Sequence, residues 1–500
     1  MIGYCSALLA QSVASSVILS LWPGCWRRYL KPLSCLLALL SVAIVAAMFY
    51  SFDSQFSQFQ FVERVDWIDA LAAEYYVGVD GLSLLLVALT VFANVLVVLS
   101  QDSLYARVEQ SYLALFFLMQ AVTVGVFVAL DGVLFYLFWE STLLPMYMAV
   151  GIWGSKDRLY AASKFFLFTF AGSLLLLLAI VYLGLQAESF ALPVWYDLPL
   201  TWLEQCLLFV MFSAAFAVKL PMFPVHIWLP DAHTEAPAAG SLILAALLLK
   251  VGAFGFLRFN LPITPDASAT FAPVMVVLSI IAVLYIGLLA LSQQDIKRLI
   301  AYASISHMGM VTLGIFSVYL IATEVAFAKE MALLGACVQM IAHAFSSGGM
   351  FLAFGMLYAR YPKRAMSDYG GLADTMPIFV VFFVWFTLSN IGLPGTAGFV
   401  GELMIFMSSF YIHPFMSAMV VITVLLSASY SLWMVRRVFY GPVQVAALHT
   451  LEDLHYREML PLGLIGVAIL GLGCLPQVLM GYLTPSVQQL LTWSLVSKII

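Results

Sequence analysis

Charge is what this chain lacks. Only 9% of its 500 residues are Asp, Glu, Lys or Arg, against about a quarter in a soluble domain. Hydrophobic residues make up 64%, more than any water-soluble core of this length can use. The bilayer must therefore be the solvent for most of the protein. A net charge of −5 gives no reason to expect a nucleic-acid partner. Cysteine is sparse too. Cys5, Cys25, Cys35, Cys206, Cys337 and Cys474 form no CxxC pair, which argues against metal or redox clusters and for small apolar membrane residues. There is no GxxxxGK[ST] and no dinucleotide fingerprint. No loop is long enough for a soluble catalytic domain. The apolar N-terminus reads as a first span rather than a removable signal. Whatever this chain does, it does within the membrane.

What is present is a series of fourteen apolar stretches, from Ile2–Trp22 to Met459–Leu479, each near the roughly 20 residues that cross a bilayer. The basic residues test this count. Arg27, Arg28 and Lys31 follow the first span, Arg107 the third, and Lys156, Arg158 and Lys164 the fifth. Lys297 and Arg298 follow the ninth, Arg360, Lys363 and Arg364 the eleventh, and Arg436, Arg437 and Arg457 the thirteenth. These are fifteen of the 21 Lys and Arg residues. The opposite loops hold Arg64, Arg258, Lys329 and Lys498. Such alternation is expected when the richer side is cytoplasmic, and it places both termini on the other side.

Four ionisable residues fall inside spans: Glu140 in VLFYLFWESTLLPMY, Lys219 in FAVKLPMFPVHIWLPDAH, Lys250 in SLILAALLLKVGAFGF and Glu402 in PGTAGFVGELMIFMSSF. His307 and His343 join them. Charges at span centres cost about 2.5–3.5 kcal/mol each, so the four together would cost on the order of 10 kcal/mol unpaired. That cost calls for pairing or for function. The bland readings are an inter-helix ion pair for Glu140, snorkelling for the lysines, a helix-start position for Glu402 and helix–helix hydrogen bonds for the histidines. His226 and His233 read as interfacial.

Two spans cannot be straight helices. Pro377–Phe410 would run about 51 Å at 1.5 Å per residue, against about 30 Å of hydrocarbon. It must break at SNIGLPGTAGF (Ser389–Phe399), where glycine and proline cannot hold a helix. The other break lies at Pro221 and Pro224, beside Lys219. Broken helices in corresponding halves of a chain mark ion sites between inverted repeats. A faint echo between KFFLFTFAGSLLLLLAIVYLG and QMIAHAFSSGGMFLAFGMLYA, five spans apart, fits such a repeat.

FWESTLLPMY, KLPMFPVHIWLPDAHTEAPAAGS, QQDIKRLIAYASISHMGMV and GLPGTAGFVGE resemble the antiporter-like membrane subunits of respiratory complex I, most clearly over Val79–Val438. The superfamily also includes multisubunit sodium/proton antiporters and membrane-bound hydrogenases. Fourteen spans and a glutamate, not a lysine, in the twelfth resemble one member of the complex I set. The resemblance implies an all-α polytopic membrane protein with two inverted five-helix repeats. Residues 1–111 would hold spans one to three, 112–258 the first repeat, 259–438 the second, and 439–500 a loop, span fourteen and a short tail. It implies that Glu140 pairs with Lys219, that Lys250 links two half-channels, and that His343 and His307 relay protons to Glu402. It also implies no cofactor in this chain, with NADH, FMN, iron–sulfur clusters and quinone held by partner subunits. The partners would be other membrane-arm subunits, especially chains L and N, in a bacterial inner membrane. A structural scaffold whose buried charges only join helices is the reading from another class.

Overall fold

The structure, a computed structural model, describes residues 3–68, 72–104, 110–443 and 445–499; Ile2 and Arg107, used above, lie outside them. Among the described residues, twelve helices are long and apolar enough to cross a membrane. In chain order with the shorter ones they are α1 (Tyr4–Ser20), α2 (Gly24–Ser51), α3 (Gly81–Leu104), α4 (Gln110–Val128), α5 (Gly132–Trp153), α6 (Arg158–Ala187) and α7 (Trp202–Lys219). Then come α8 (Ala238–Ile263), α9 (Pro265–Ser292), α10 (Ile296–Ser317), α11 (Ala326–Arg360), α12 (Pro377–Ile391), α13 (Ala397–Phe410), α14 (Pro414–Phe439), α15 (Tyr456–Cys474) and α16 (Pro476–Ser494). The short helix α1 and the interrupted pair α12–α13 bring the twelve to the fourteen crossings expected.

Burial sorts these helices. The apolar window of α8 is 100% buried and those of α10 and α11 94%, whereas less than half of the windows of α6 and α9 is buried. The exposed side chains of α6 include Leu167, Phe170, Leu174, Leu178 and Leu185, an apolar belt suited to lipid. Lys250, His307 and His343 thus sit on the three most enclosed of these helices, away from hydrocarbon. α11 runs 35 residues, about two turns longer than the apolar stretch Met331–Tyr358, because Ala326–Glu330 and its last two residues continue the helix into the loops.

The all-α expectation meets one exception. Residues Gln60–Ile68 (β1) and Ala73–Val79 (β2) pair antiparallel, with Arg64 opposite Tyr76 and Glu63 opposite Val77. Within FVERVDW the run Arg64–Trp67 alternates polar and apolar residues, the two-residue period of a strand. The hairpin is tied down by capping: Glu63 Oε1 accepts from Cys5 N (3.0 Å) and Ser6 N (3.2 Å), at the start of α1. Leu130 N donates to Tyr76 O at 2.8 Å, so the hairpin also joins the loop between α4 and α5.

On the opposite face, loops that the sequence places on one side are cross-linked by ion pairs. Asp231 takes Lys164 (2.7 Å) and Arg298 (3.1 Å). Glu235 takes Arg364 (3.0 Å), and Glu458 takes Arg360 (2.5 Å). Outside the spans, burial pushes Glu235 up, but hydrogen bonds from Ser155 and the Asp157 amide together with the Arg364 guanidinium prevail and hold it below the usual carboxylate range.

Three residues assigned to loops are buried instead. Arg258 forms an ion pair with Asp80 inside the protein, at the start of α3, where Asp80 also caps Ser83 N at 2.9 Å. Lys297 donates to Ala236 O at 2.7 Å, and Lys329 is 5% exposed. Each sits on the first or last turns of a helix that packing draws inward, which residue type cannot reveal. The last span ends at Cys474, earlier than expected, because Pro476 starts a new helix, α16. That helix packs back on α3 and α11.

Candidate functional site: a row of buried ionisable groups

Lys219 is the last residue of α7 and is 2% exposed. The helix stops there because Pro221 and Pro224 cannot continue it. The carbonyls released by the break are partly recaptured: Trp228 Nε1 donates to Val218 O at 2.9 Å and Met222 N to Ala217 O at 2.8 Å. The ammonium reaches across to α5. It donates to Trp139 O (2.9 Å) and Thr142 Oγ1 (2.8 Å) and lies 4.0 Å from the centre of the Trp139 ring. α5 is interrupted at Thr142, where helices Gly132–Ser141 and Leu143–Trp153 meet, and this leaves the Trp139 carbonyl open to the lysine.

The resemblance implied an ion pair between Glu140 and Lys219. No such pair within 4.0 Å is found among the described residues. Glu140 is half-buried and turns toward Ser173 on α6, with Oε2 unpartnered. The two groups remain within reach of each other's charge, but Lys219 rests on Trp139 and Thr142.

The second group lies in close succession. α8 is loosened by five-residue π-turns at Leu244–Leu248 and Phe256–Asn260, on either side of Lys250. Lys250 Nζ donates to Ala245 O (2.6 Å) and contacts His343 Nδ1 on α11 at 2.8 Å. The His343 and His307 rings lie 5.9 Å apart between centroids, tilted by 55°. His307 Nδ1 is 3.0 Å from Glu402 Oε1, at ion-pair distance though not in hydrogen-bond alignment. Gln339 Nε2 steadies the same carboxylate oxygen at 3.1 Å. All five side chains are buried.

Glu402 fits because of the break before it. Gly392 closes α12 at φ +84°, a left-handed conformation glycine adopts freely. A Cβ there would stand 2.7 Å from Glu402 Oε2. The helix thus breaks at a residue without a Cβ, which leaves space for the carboxylate.

The structure therefore collects Lys250, His343, His307 and Glu402 into one series, and keeps Lys219 and Glu140 apart from it and from each other. α7 and α8 meet where Gly252 packs on Leu220 and Gly255 on Phe216. His233 is not interfacial. It is 0% exposed, stacks on Phe351 with ring centroids 4.4 Å apart, and has neither ring nitrogen partnered. His226 is also buried, at 6% exposed, against Phe223. Beside Lys297, a cavity of about 250 Å³ is lined by Ser155, Thr234, Glu235, Lys297 and Arg364. Thr142, Gln339, Ser347 and Asn390 escaped the sequence reading, since hydroxyl and amide side chains are common in spans and carry no charge signal. No group of His, Cys, Asp and Glu able to hold a metal ion occurs among the described residues.

Broken helices that aim buried lysine, histidine and glutamate at one another define a membrane ion-translocating subunit. Residues 129–427 match the family described as NADH:quinone oxidoreductase/Mrp antiporter. NADH-quinone oxidoreductase subunit M of Rhodobacter capsulatus is 44% identical over 86% of this chain and 84% of its own length. NADH-ubiquinone oxidoreductase chain 4 of Marchantia polymorpha is 37% identical over 97% and 96%. A chain of respiratory complex I from Thermus thermophilus superposes with a TM-score of 0.88 at 28% identity, over 98% of this chain and 99% of that one. The chain belongs to the NADH:quinone oxidoreductase/Mrp antiporter family.

Proposed function

We propose that this chain is a proton-translocating membrane subunit of an NADH:quinone oxidoreductase, and that Glu140, Lys219, Lys250, His343, His307 and Glu402 carry the proton. The observation that supports this most is the close succession of buried side chains from Lys250 through both histidines to Glu402. Lys219 is the proton store of the first half. A carboxylate brought close favours an ammonium and its withdrawal favours release, so Glu140 is the switch. With Glu140 turned to Ser173 and Lys219 held by Trp139 and Thr142, the pair is in its open arrangement. Lys250 then receives charge from the Lys219 side and passes it along the histidines.

The chain supplies positions, not driving force. Quinone reduction in neighbouring subunits supplies the energy, and NADH, FMN and iron–sulfur clusters belong to those partners. Chains L and N are the expected neighbours, in a bacterial inner membrane with both termini outside the cytoplasm. Residues 112–258 and 259–438 form the two inverted repeats. The reading is tested by Glu140→Ala and Lys219→Ala in the assembled complex. Each should abolish pumping and depress coupled quinone reduction while the complex still assembles; normal pumping by Glu140→Ala removes the switch.

A further inference from the structure

Resting on that relay, we propose that Ser347 and Asn390 are positioning residues that fix the tautomer of His343. They keep the ring hydrogen on Nε2 and turn the Nδ1 lone pair toward Lys250. A histidine can accept a proton only at a nitrogen that carries none, and the nitrogen left free is set by what its partner nitrogen is bonded to. The contact of Lys250 Nζ with Nδ1 at 2.8 Å suits either tautomer, because a neutral amine accepts as readily as an ammonium donates. The deciding contacts lie across the ring.

Nε2 is 3.1 Å from Ser347 Oγ, and Ser347 Oγ is 3.4 Å from Asn390 Oδ1. Asn390 presents Oδ1 to Ser347 and leaves Nδ2 unpartnered; an amide oxygen only accepts, so in this orientation of the amide the Ser347 hydrogen points to Asn390. The hydroxyl oxygen is then free to accept, and Nε2 must be the donor. Ser304 also comes within 3.4 Å of Ser347, but its own hydrogen has a shorter acceptor in Ile300 O at 2.9 Å. The direction is thus Lys250 to His343 to Ser347 to Asn390, each group donating to the next. Asn390 is held by the break itself: it is the penultimate residue of α12, and its carbonyl accepts from Ser427 Oγ at 3.2 Å.

The arrangement gives the relay a resting state. Transfer breaks an Nζ–H bond on Lys250 and forms Nδ1–H on His343, leaving a neutral amine and an imidazolium. Release of that hydrogen from Nδ1 restores the starting tautomer. Release from Nε2 leaves the opposite one, with a hydrogen where the Lys250 proton must arrive, until Ser347 and Asn390 draw the ring hydrogen back. The pair therefore acts on how often His343 is ready, without touching the travelling proton.

The test uses the intact complex with ¹⁵N-histidine, the His343 ring signals being assigned by difference against His343→Gln. The expected wild-type spectrum has hydrogen on Nε2 and none on Nδ1. Ser347→Ala should mix the tautomers and slow proton translocation about ten- to a hundredfold, the scale of loss when a metal-ligating histidine is deprived of its outer hydrogen-bond partner. Ser347→Thr should restore both readings, and Asn390→Asp, which keeps an acceptor oxygen, should retain Nε2–H. Hydrogen on Nδ1 in the wild type, or an unchanged tautomer in Ser347→Ala, overturns the inference. Normal translocation by His343→Gln instead overturns the relay reading, whatever the tautomer.

Discussion

Lys219 separates function from stability, and two substitutions measure the separation. In Lys219→Met the ammonium disappears with everything that holds it. Hydrogen bonds to a charged group are worth about 1.5–3 kcal/mol each, and a desolvated cation–π contact about 2 kcal/mol. The two bonds and the Trp139 contact together therefore supply roughly 5–8 kcal/mol. Against this stands the desolvation of a buried ammonium, itself several kcal/mol. The partners are not stranded either, since Thr142 Oγ1 already donates to Trp139 O at 2.7 Å. The net change in stability should lie within about 2 kcal/mol of zero, while translocation is lost. In Thr142→Val the charge stays and loses one of its two hydrogen bonds, at a cost of about 1.5–3 kcal/mol. The assay is thermal inactivation of the purified complex beside proton uptake in proteoliposomes. A Lys219→Met complex that fails to assemble, or a Thr142→Val complex as stable as wild type, refutes the reasoning.

Other predictions follow from single contacts. Gly392→Ala should destabilise the complex by about 1–3 kcal/mol, for a side chain forced into left-handed backbone, and should impair translocation by displacing Glu402; unaltered rates with the carboxylate in place would count against the fit. Gln339→Leu should weaken the hold on Glu402 and slow translocation without preventing assembly, as read by proton uptake per quinone reduced. The C-terminal segment offers a pH test outside the spans. Lys498 donates to Pro262 O at 2.5 Å and to Trp195 O at 3.3 Å. Burial pushes its ammonium down to about 8, against the pull of Asp197 and Asp266. Released, the same lysine titrates near 10.5. Between these values the released segment binds the proton and the docked one does not, so docking should tighten as pH rises from about 8 to about 10.5. Amide exchange at residues 495–499, corrected for the intrinsic rate, should slow across that window; protection that weakens there would contradict the sign.

The spans were legible because lipid imposes length and hydrophobicity, and Gly and Pro located both breaks for the same reason that they cannot be helical. Glu140, Lys219, Lys250 and Glu402 were legible because charge inside an apolar run is costly and hence conspicuous. Contacts were not. Whether Lys219 rests on Glu140 or on a tryptophan carbonyl depends on an interruption in α5 that FWESTLLP does not announce. The strands Gln60–Ile68 and Ala73–Val79 hid in a loop because alternation is confined to Arg64–Trp67 of the first. Arg258 and Lys297 were misplaced because their position relative to a span end says nothing about what packs over them. His233 looked interfacial beside Asp231, yet its helix turns it onto Phe351.

The central claim is that protons pass through the buried side chains of this chain, and the ratio of protons moved to electrons delivered reads it most directly. Measured in proteoliposomes during NADH oxidation by a complex carrying Glu402→Gln, the ratio should fall and the coupled rate with it, since glutamine keeps the size of the side chain but cannot take up the proton. An unchanged ratio at wild-type rate would mean that the charge moves elsewhere.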